Sequence, residues 1–271
     1  MTSRNRLKSK LLSGERALGV WVMTGAVPNA EILAHAGYDF VVIDHEHGAG
    51  DTHDVFAMLR AVDAADGEAV VRIGWNDQTL LKRVLDAGAR SIMVPMVETA
   101  EEAAAAAASC LYPPRGRRGY AASAVRASNY GTVPGYAHAA ADELLLIVQI
   151  ETAEAVANAG AIAAVDGVDM VFIGINDLGA SIGRLEQLDH PDVLALAAQA
   201  EDAIKASGKL MGTVPSPGRD PGVLAGKGFH MVASAADVSL LRDGARAELT
   251  QWADAFPRVR PAPSTKKGAG Y

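Results

Sequence analysis

Between Leu144 and Gly183 the chain reads LLLIVQIE (144–151), TAEAVANAGAIAAVDGV (152–168) and DMVFIGINDLGASIG (169–183). Two apolar runs, Leu144–Ile150 and Met170–Ile173, each lead into an acid, Glu151 and Asp177. Continuous apolar runs bounded by turn signals are the mark of strands covered on both faces, as in parallel sheets. Between them Thr152 stands where a cap is needed for a helix over Ala153–Ile162. The unit is strand–helix–strand with a carboxylate at the C-terminal end of each strand, the end where α/β folds bind ligands. Two carboxylates held close repel unless a proton or a cation lies between them. Paired hard oxygens suit Mg²⁺ or Mn²⁺, with water and substrate in the remaining positions. The competing reading makes each acid a helix N-cap.

Working outward, the same rhythm repeats. Residues 1–16 read as a short surface helix or arm. Ala17–Met23 is a strand, and Pro28–Ala36 a helix stopped at Gly37. Phe40–Asp44 (FVVID) is a buried strand running into His45-Glu46-His47-Gly48, and Thr52–Ala64 is helical. Glu68–Ile73 is a strand with Arg72 near its end, and Leu80–Asp86 the helix after it. Ser91–Val97 is a strand, and Thr99 opens an alanine-rich helix to about Ser109. After the central unit come a helix (Pro191–Ser207), a strand (Lys209–Val214), a short helix (Pro221–Gly226), a strand (His230–Ser234) and a last helix (Val238–Ala255). Strand seven is the weakest, because Gly212 and Thr213 dilute its apolar run. Eight strand–helix units without a domain-scale linker predict a single-domain (β/α)₈ TIM barrel over residues 1–256. Residues 257–271 lack periodicity and are expected to form a mobile tail. Tyr112–His138, rich in Gly, Pro, Ser and Arg, breaks the rhythm. It is read as a lid or intersubunit segment, since Arg115, Arg117, Arg118 and Arg126 can meet acidic groups.

Composition narrows the function. With 271 residues, 49% hydrophobic and 21% charged, the chain reads as globular and soluble. A net charge of −7 with scattered basic residues leaves no footprint for nucleic acid or an anionic membrane. One cysteine, Cys110, excludes an internal disulfide or a thiolate cluster and fits a reducing compartment. The basic start (Arg4, Lys8, Lys10) leads into no signal-like apolar core, and no apolar run approaches the ~20 residues of a membrane span, so a cytoplasmic location is expected.

If the barrel closes, its strand ends gather Asp44 to His47, Arg72, Gln149, Glu151 and Asp177 on one face. His47 is a natural proton carrier near neutral pH. Arg72 is either a substrate cation or the partner of a neighbouring acid, and Asp44 either a site residue or a loop pin. Asp86 closes a helix whose C-terminus disfavours negative charge, which hints at a partner such as a histidine.

The motifs IDHEHG (43–48), VRIGWND (71–77), KRVLDAG (82–88), SIMVPMVETAEEA (91–103), YPPRGRRG (112–119), IVQIETAEAV (147–156) and VFIGINDLGASIG (171–183) match in order and spacing those of one known family. The chain resembles, over roughly residues 17–255, the metal-dependent (class II) pyruvate aldolases of the hydroxy-oxo-heptanedioate aldolase family, within the aldolase/citrate lyase superfamily. The resemblance implies that Glu151 and Asp177 hold a divalent metal (Mg²⁺ or Mn²⁺, with Co²⁺ a further candidate). It implies that Arg72 faces the pyruvate oxygens, that His47 paired with Asp86 is the acid/base group, and that Gln149 and the backbone at Gly174 border the pyruvate site. His45 has no assigned role. The implied reaction is reversible cleavage of a 4-hydroxy-2-oxo acid to pyruvate and an aldehyde, and the implied assembly a homo-oligomer, with a hexamer favoured. Two departures, His45 where some members have Gly and Ile175 where Pro is frequent, bear on substrate preference. Two alternatives share the metal logic: a CoA-thioester lyase of the citrate or malyl-CoA lyase type, and an oxaloacetate decarboxylase. A barrel retired to a binding role would have lost the polar strand ends.

Overall fold

The fold is that of a computed structural model, which describes residues 4–256; the expected tail lies outside them. A short helix α1 (Arg6–Leu12) precedes β1 (Ala17–Val22), α2 (Val27–His35), β2 (Phe40–Asp44) and α3 (Thr52–Ala64). Next come β3 (Ala69–Arg72), α4 (Gln78–Asp86), β4 (Ser91–Val94) and α5 (Ala100–Cys110). The 112–138 segment holds a 3₁₀ turn (Arg126–Ser128) and runs into α6 (Tyr136–Ala139). The chain continues through β5 (Leu145–Ile150), α7 (Ala153–Ala157), α8 (Ala159–Ala163), β6 (Met170–Ile173) and α9 (Ile175–Ser181). It finishes with α10 (Pro191–Ser207), β7 (Leu210–Thr213), α11 (Pro221–Gly226), β8 (Met231–Ala236) and α12 (Asp237–Gln251). All eight strands are parallel and pair in chain order, and β8 returns to β1, closing the barrel.

Period-two alternation divides each strand between two cores. Phe40, Val42, Val70, Met93, Leu145, Ile147, Met170 and Phe172 fill the barrel interior. Their neighbours Val41, Ile43, Val71, Ile92, Leu146 and Val171 pack outward beneath the helices. The dilute seventh strand has a reason in this packing: a Cβ at Gly212 would stand 2.6 Å from the Phe172 ring. Thr213 gives its hydroxyl to the Ile173 carbonyl at 2.8 Å. Strand β8 outruns its expected end at Ser234, because the register with β1 shifts between Gly19 and Val20 and the strand resumes at Ala235. The helix expected over Ala153–Ile162 is two short ones, parted at Asn158, whose side-chain amide donates to the Glu98 carbonyl at 2.8 Å.

Helix α1 is no surface arm. Leu7 and Leu11 are buried and join the interior core, so the helix plugs the N-terminal end of the barrel. Asn5, fully buried, caps α1 and donates to the Arg90 carbonyl (3.1 Å), Ser91 Oγ (3.0 Å) and the Glu143 carbonyl (3.0 Å). The arginine-rich segment does meet acids, but on the outer helices: Arg118 Nη2 reaches Asp86 Oδ1 at 2.8 Å and Arg126 Nη2 reaches Asp63 Oδ2 at 2.5 Å. None of its residues lines the cavity at the C-terminal mouth. Among the described residues, no helix is long and apolar enough to cross a membrane.

Candidate active site

The site grows from strand register. Asp44 and Arg72 end β2 and β3 and stand opposite each other. Arg72 grips Asp44 with two parallel bonds, Nε to Oδ1 at 2.8 Å and Nη2 to Oδ2 at 2.7 Å. Its remaining edge lies 2.9 Å from Glu46 Oε2, and the Trp21 ring covers its face at 4.3 Å. Asp44 Oδ1 also accepts the Glu46 backbone N–H at 3.0 Å, which folds the chain back after β2. Asp44 thus pins the loop and pairs with Arg72. Burial opposes the charge on Arg72, but the bond to Asp44 and the nearby Glu46 and Glu151 keep its pKa above the usual arginine value. Two hydrogen bonds to Asp44 and an ion pair with Glu46 fix the plane of the guanidinium.

The two acids of the central stretch are not helix caps. Thr152 caps α7 through its own hydroxyl, and Asp177 lies within the first turn of α9, after Gly174. Glu151 is 3% exposed and accepts the Met96 N–H at 2.9 Å. Met96 holds a left-handed φ of 51°, which a side chain tolerates poorly, and so delivers that N–H. Glu151 Oε1 takes a longer bond, 3.3 Å, from Gln149 Nε2, and Gln149 Oε1 is buried without a partner. Gly174 is needed for space: a Cβ there would stand 2.3 Å from Glu151 Oε1. Burial drives the Glu151 carboxyl up to about 7, and Glu46 and Asp177 add to the push while Met96 and Arg72 oppose it. Glu46 is raised as well, first by burial, against the pull of Arg72 and His47.

The mouth thus gathers four carboxylates (Asp44, Glu46, Glu151, Asp177) around one guanidinium. The cavity there has a volume of about 160 Å³, and His47, Arg72, Gln149, Glu151, Gly174 and Asp177 all line it. Excess negative charge, a carboxyl that holds its proton near neutrality and an unpartnered amide oxygen suit a hard divalent cation. Among the described residues, no group of three or more His, Cys, Asp or Glu side chains forms a metal site. A two-acid site leaves the other positions to water and substrate.

His47 is half exposed and 3.9 Å from Glu46 Oε2. Its expected pairing with Asp86 does not form within the chain, because Asp86 is held by Arg118, itself stacked on Tyr112 at 4.5 Å. The acid placed against the dipole of α4 does have a cationic partner, an arginine where a histidine was anticipated. His45 lines no part of the mouth. Sequence reasoning passed over Trp21, Asn176, Met23 and Val214, which also line it. Trp21 resembles any core residue, and only its place near the end of β1 could have signalled it.

A closed parallel (β/α)₈ barrel with an acid pair and a fixed arginine at its C-terminal mouth defines the architecture and the site. The HpcH/HpaI aldolase/citrate lyase family model matches residues 17–244, and the chain belongs to that family. It is 40% identical over 252 residues to the hydroxypyruvate/pyruvate aldolase of Sagittula stellata, covering 92% of this chain and 98% of the relative. It is 38% identical over 244 residues to the 4-hydroxy-2-oxo-heptane-1,7-dioate aldolase of Salmonella dublin, covering 90% and 93%. Among solved structures, an HpcH/HpaI aldolase/citrate lyase family protein from Burkholderia cenocepacia superposes with a TM-score of 0.86 at 38% identity, over 91% of this chain and 98% of that one.

Proposed function

We propose that this protein is a divalent-metal-dependent pyruvate aldolase that reversibly cleaves 4-hydroxy-2-oxo acids to pyruvate and an aldehyde. The observation that carries the reading is the mouth itself: Arg72, fixed on three sides, stands over a cavity shared with the excess carboxylates Glu151 and Asp177. Family membership and the aldolases named among the relatives support it.

Glu151 and Asp177 are the residues to hold the metal, Mg²⁺ or Mn²⁺ by their hard oxygens, with Co²⁺ a further candidate. When bound, the metal supplies Lewis-acid stabilisation of charge on the 2-oxo group. The protein's own groups do the rest. Gln149 and the backbone at Gly174 border the pyruvate half and fix its orientation. His47 takes the proton of the 4-hydroxyl; the C4–O bond becomes the aldehyde carbonyl while the C3–C4 pair moves onto the pyruvate half. That charge spreads from C3 to the 2-oxygen beside Arg72, and protonation at C3 gives pyruvate. A positioned base of this kind contributes typically ~10²–10⁴-fold. No lysine Schiff base is required.

A role for Asp86 toward His47 requires a second copy of the chain, since within one chain Arg118 holds it. A homo-oligomer, with a hexamer favoured, is supported by α12, which leaves Leu241 69% and Leu249 53% exposed, with Trp252 51% exposed just beyond. Cys110, buried and unpaired, fits a cytoplasmic location. The test is a panel of aldehydes incubated with pyruvate and the enzyme. Condensation that requires Mn²⁺ or Mg²⁺ and stops in EDTA is expected; the absence of product with every aldehyde would refute the reading.

A further inference from the structure

Val214 is the first residue after β7 and lines the cavity of the mouth. The register pairs Ile173 with Thr213, so Val214 follows beside Gly174, whose backbone borders the pyruvate half in the reading above. An apolar side chain there suits the C3 carbon of a 2-oxo acid, whose oxygens belong with the charged groups. The loop behind Val214 is held firmly. Pro215 restricts Val214 to extended backbone. Ser216 and Arg219 then exchange backbone hydrogen bonds of 3.2 and 2.8 Å across Pro217 and Gly218 (φ 71°), the residue pattern of a type II turn. Beneath the turn Arg219, 5% exposed, lies over the Phe229 ring at 5.8 Å. Its Nη2 donates to Glu201 Oε1 of α10 at 2.6 Å, and Glu201 is itself 4% exposed.

A buried ion pair is seldom a net source of stability, because both charges lose their water; what it can supply is a defined position. Only Pro215 separates the turn from Val214, so whatever fixes Arg219 fixes the wall. We propose that Arg219 and Glu201 are positioning residues: through the turn they hold Val214 against C3 of the 2-oxo acid and so set how large a C3 substituent the donor can carry. The proposal rests on the pyruvate aldolase reading and deepens it toward the donor substrate. Neither residue lines the cavity, so both act on the substrate through Val214. Both are buried within one chain, and the clamp is complete without a second copy. Removing Arg219 does not orphan Glu201, since Lys227 Nζ lies 3.5 Å from its Oε2 and Lys205 Nζ 4.0 Å. The barrel can therefore stand while the loop loses its anchor.

The experiment follows exchange of C3 protons with deuterated water by NMR, on the intact enzyme with Mg²⁺ and no aldehyde. It compares pyruvate with 2-oxobutanoate, which adds one methyl at C3. Arg219→Met is expected to raise kcat/KM for 2-oxobutanoate relative to pyruvate by at least about threefold, within the roughly 10–200-fold that one methylene in an apolar pocket can govern. Gly218→Ala is expected to move the ratio the same way by a smaller factor, because alanine is strained at φ 71° although nothing lies within 4 Å of its Cβ. That variant keeps the buried pair and carries the test should Arg219→Met not fold. Lys227→Met takes an exposed cation from the same glutamate and is expected to leave the ratio unchanged, which separates lost stability from lost position. A ratio unmoved in Arg219→Met, or in Gly218→Ala where that variant carries the test, would overturn the inference and leave the aldolase reading intact. So would an equal shift in Lys227→Met. If the unaltered enzyme exchanges neither 2-oxo acid, the aldolase reading itself fails and takes this inference with it.

Discussion

At the N-terminal end of the barrel each basic residue of α1 meets an acid from a different part of the chain. Arg6 bonds Asp66 and Glu68 at 2.7 and 2.8 Å, Lys8 lies 3.2 Å from Asp169, and Lys10 reaches Asp39 at 2.5 Å. Leu7 and Leu11 fill the space between. At the C-terminal end four carboxylates crowd one arginine, and Glu151 sits buried with its carboxyl pushed up to about 7. The first end is matched and plugged, and its charges can be satisfied by folding alone. The second is mismatched and open, so folding leaves a deficit that only protons or a bound cation can fill. The difference separates a structural end from a chemical one.

The sharpest way to break the contrast is to remove the acids that make the mismatch. Glu151→Gln or Asp177→Asn should lower turnover by at least ~10⁴-fold, about 5 kcal/mol of transition-state stabilisation. Either should also abolish the rise in Tm that Mg²⁺ or Mn²⁺ gives the unaltered protein, and a preserved metal-induced rise would contradict the assignment.

Next in size is the pair that holds Arg72. Asp44→Ala leaves a guanidinium that is 8% exposed without its bidentate partner, and the expected loss of stability is about 3–4 kcal/mol by denaturant unfolding. A loss below ~1 kcal/mol would show that Glu46 alone can satisfy the cation.

The pH dependence of the metal-stripped protein is expected to run opposite to ordinary acid denaturation across the titration of Glu151. Its folded pKa, about 7, lies above the unfolded value near 4.5, so between these the folded state holds the extra proton. Stability from this group is therefore full below about 4.5 and lost as pH rises through 7, by roughly 3 kcal/mol in all. Thermal unfolding at pH 5.5 and 8 should show the fall, Glu151→Gln should flatten it, and added Mg²⁺ should restore stability at the higher pH.

The smallest effect belongs to the plugged end. Asp66→Ala removes an exposed carboxylate whose partner Arg6 keeps Glu68, and should cost no more than ~0.5 kcal/mol. A cost of several kcal/mol would mean that the matched end also depends on individual charges.

Much of this was legible in the sequence, for stated reasons. Strands covered on both faces spell themselves as apolar runs, so FVVID, LLIVQI and MVFI were visible directly, and the acids that follow them marked the mouth. Register was not legible. That Asp44 faces Arg72, or that Gly174 leaves space for Glu151, depends on which strands lie side by side and at what level. The end of β8 was hidden by a register shift, and α1 looked peripheral because its two buried leucines, Leu7 and Leu11, are separated by polar residues. Asp86 misled in an instructive way. Its unfavourable place at a helix end did call for a cation, but the partner, Arg118, came from a segment without periodic pattern.

The mismatch at the C-terminal mouth is expected to bind a divalent metal and to stabilise charge on pyruvate. Exchange of the pyruvate methyl protons with deuterated water, followed by NMR without any aldehyde, tests it most directly. With Mg²⁺ the unaltered enzyme should catalyse exchange. Glu151→Gln and Arg72→Ala should each lose it, and His47→Ala should retain most of it while losing aldol cleavage. Undiminished exchange in EDTA, or a pyruvate adduct on a lysine trapped by borohydride, would contradict the claim.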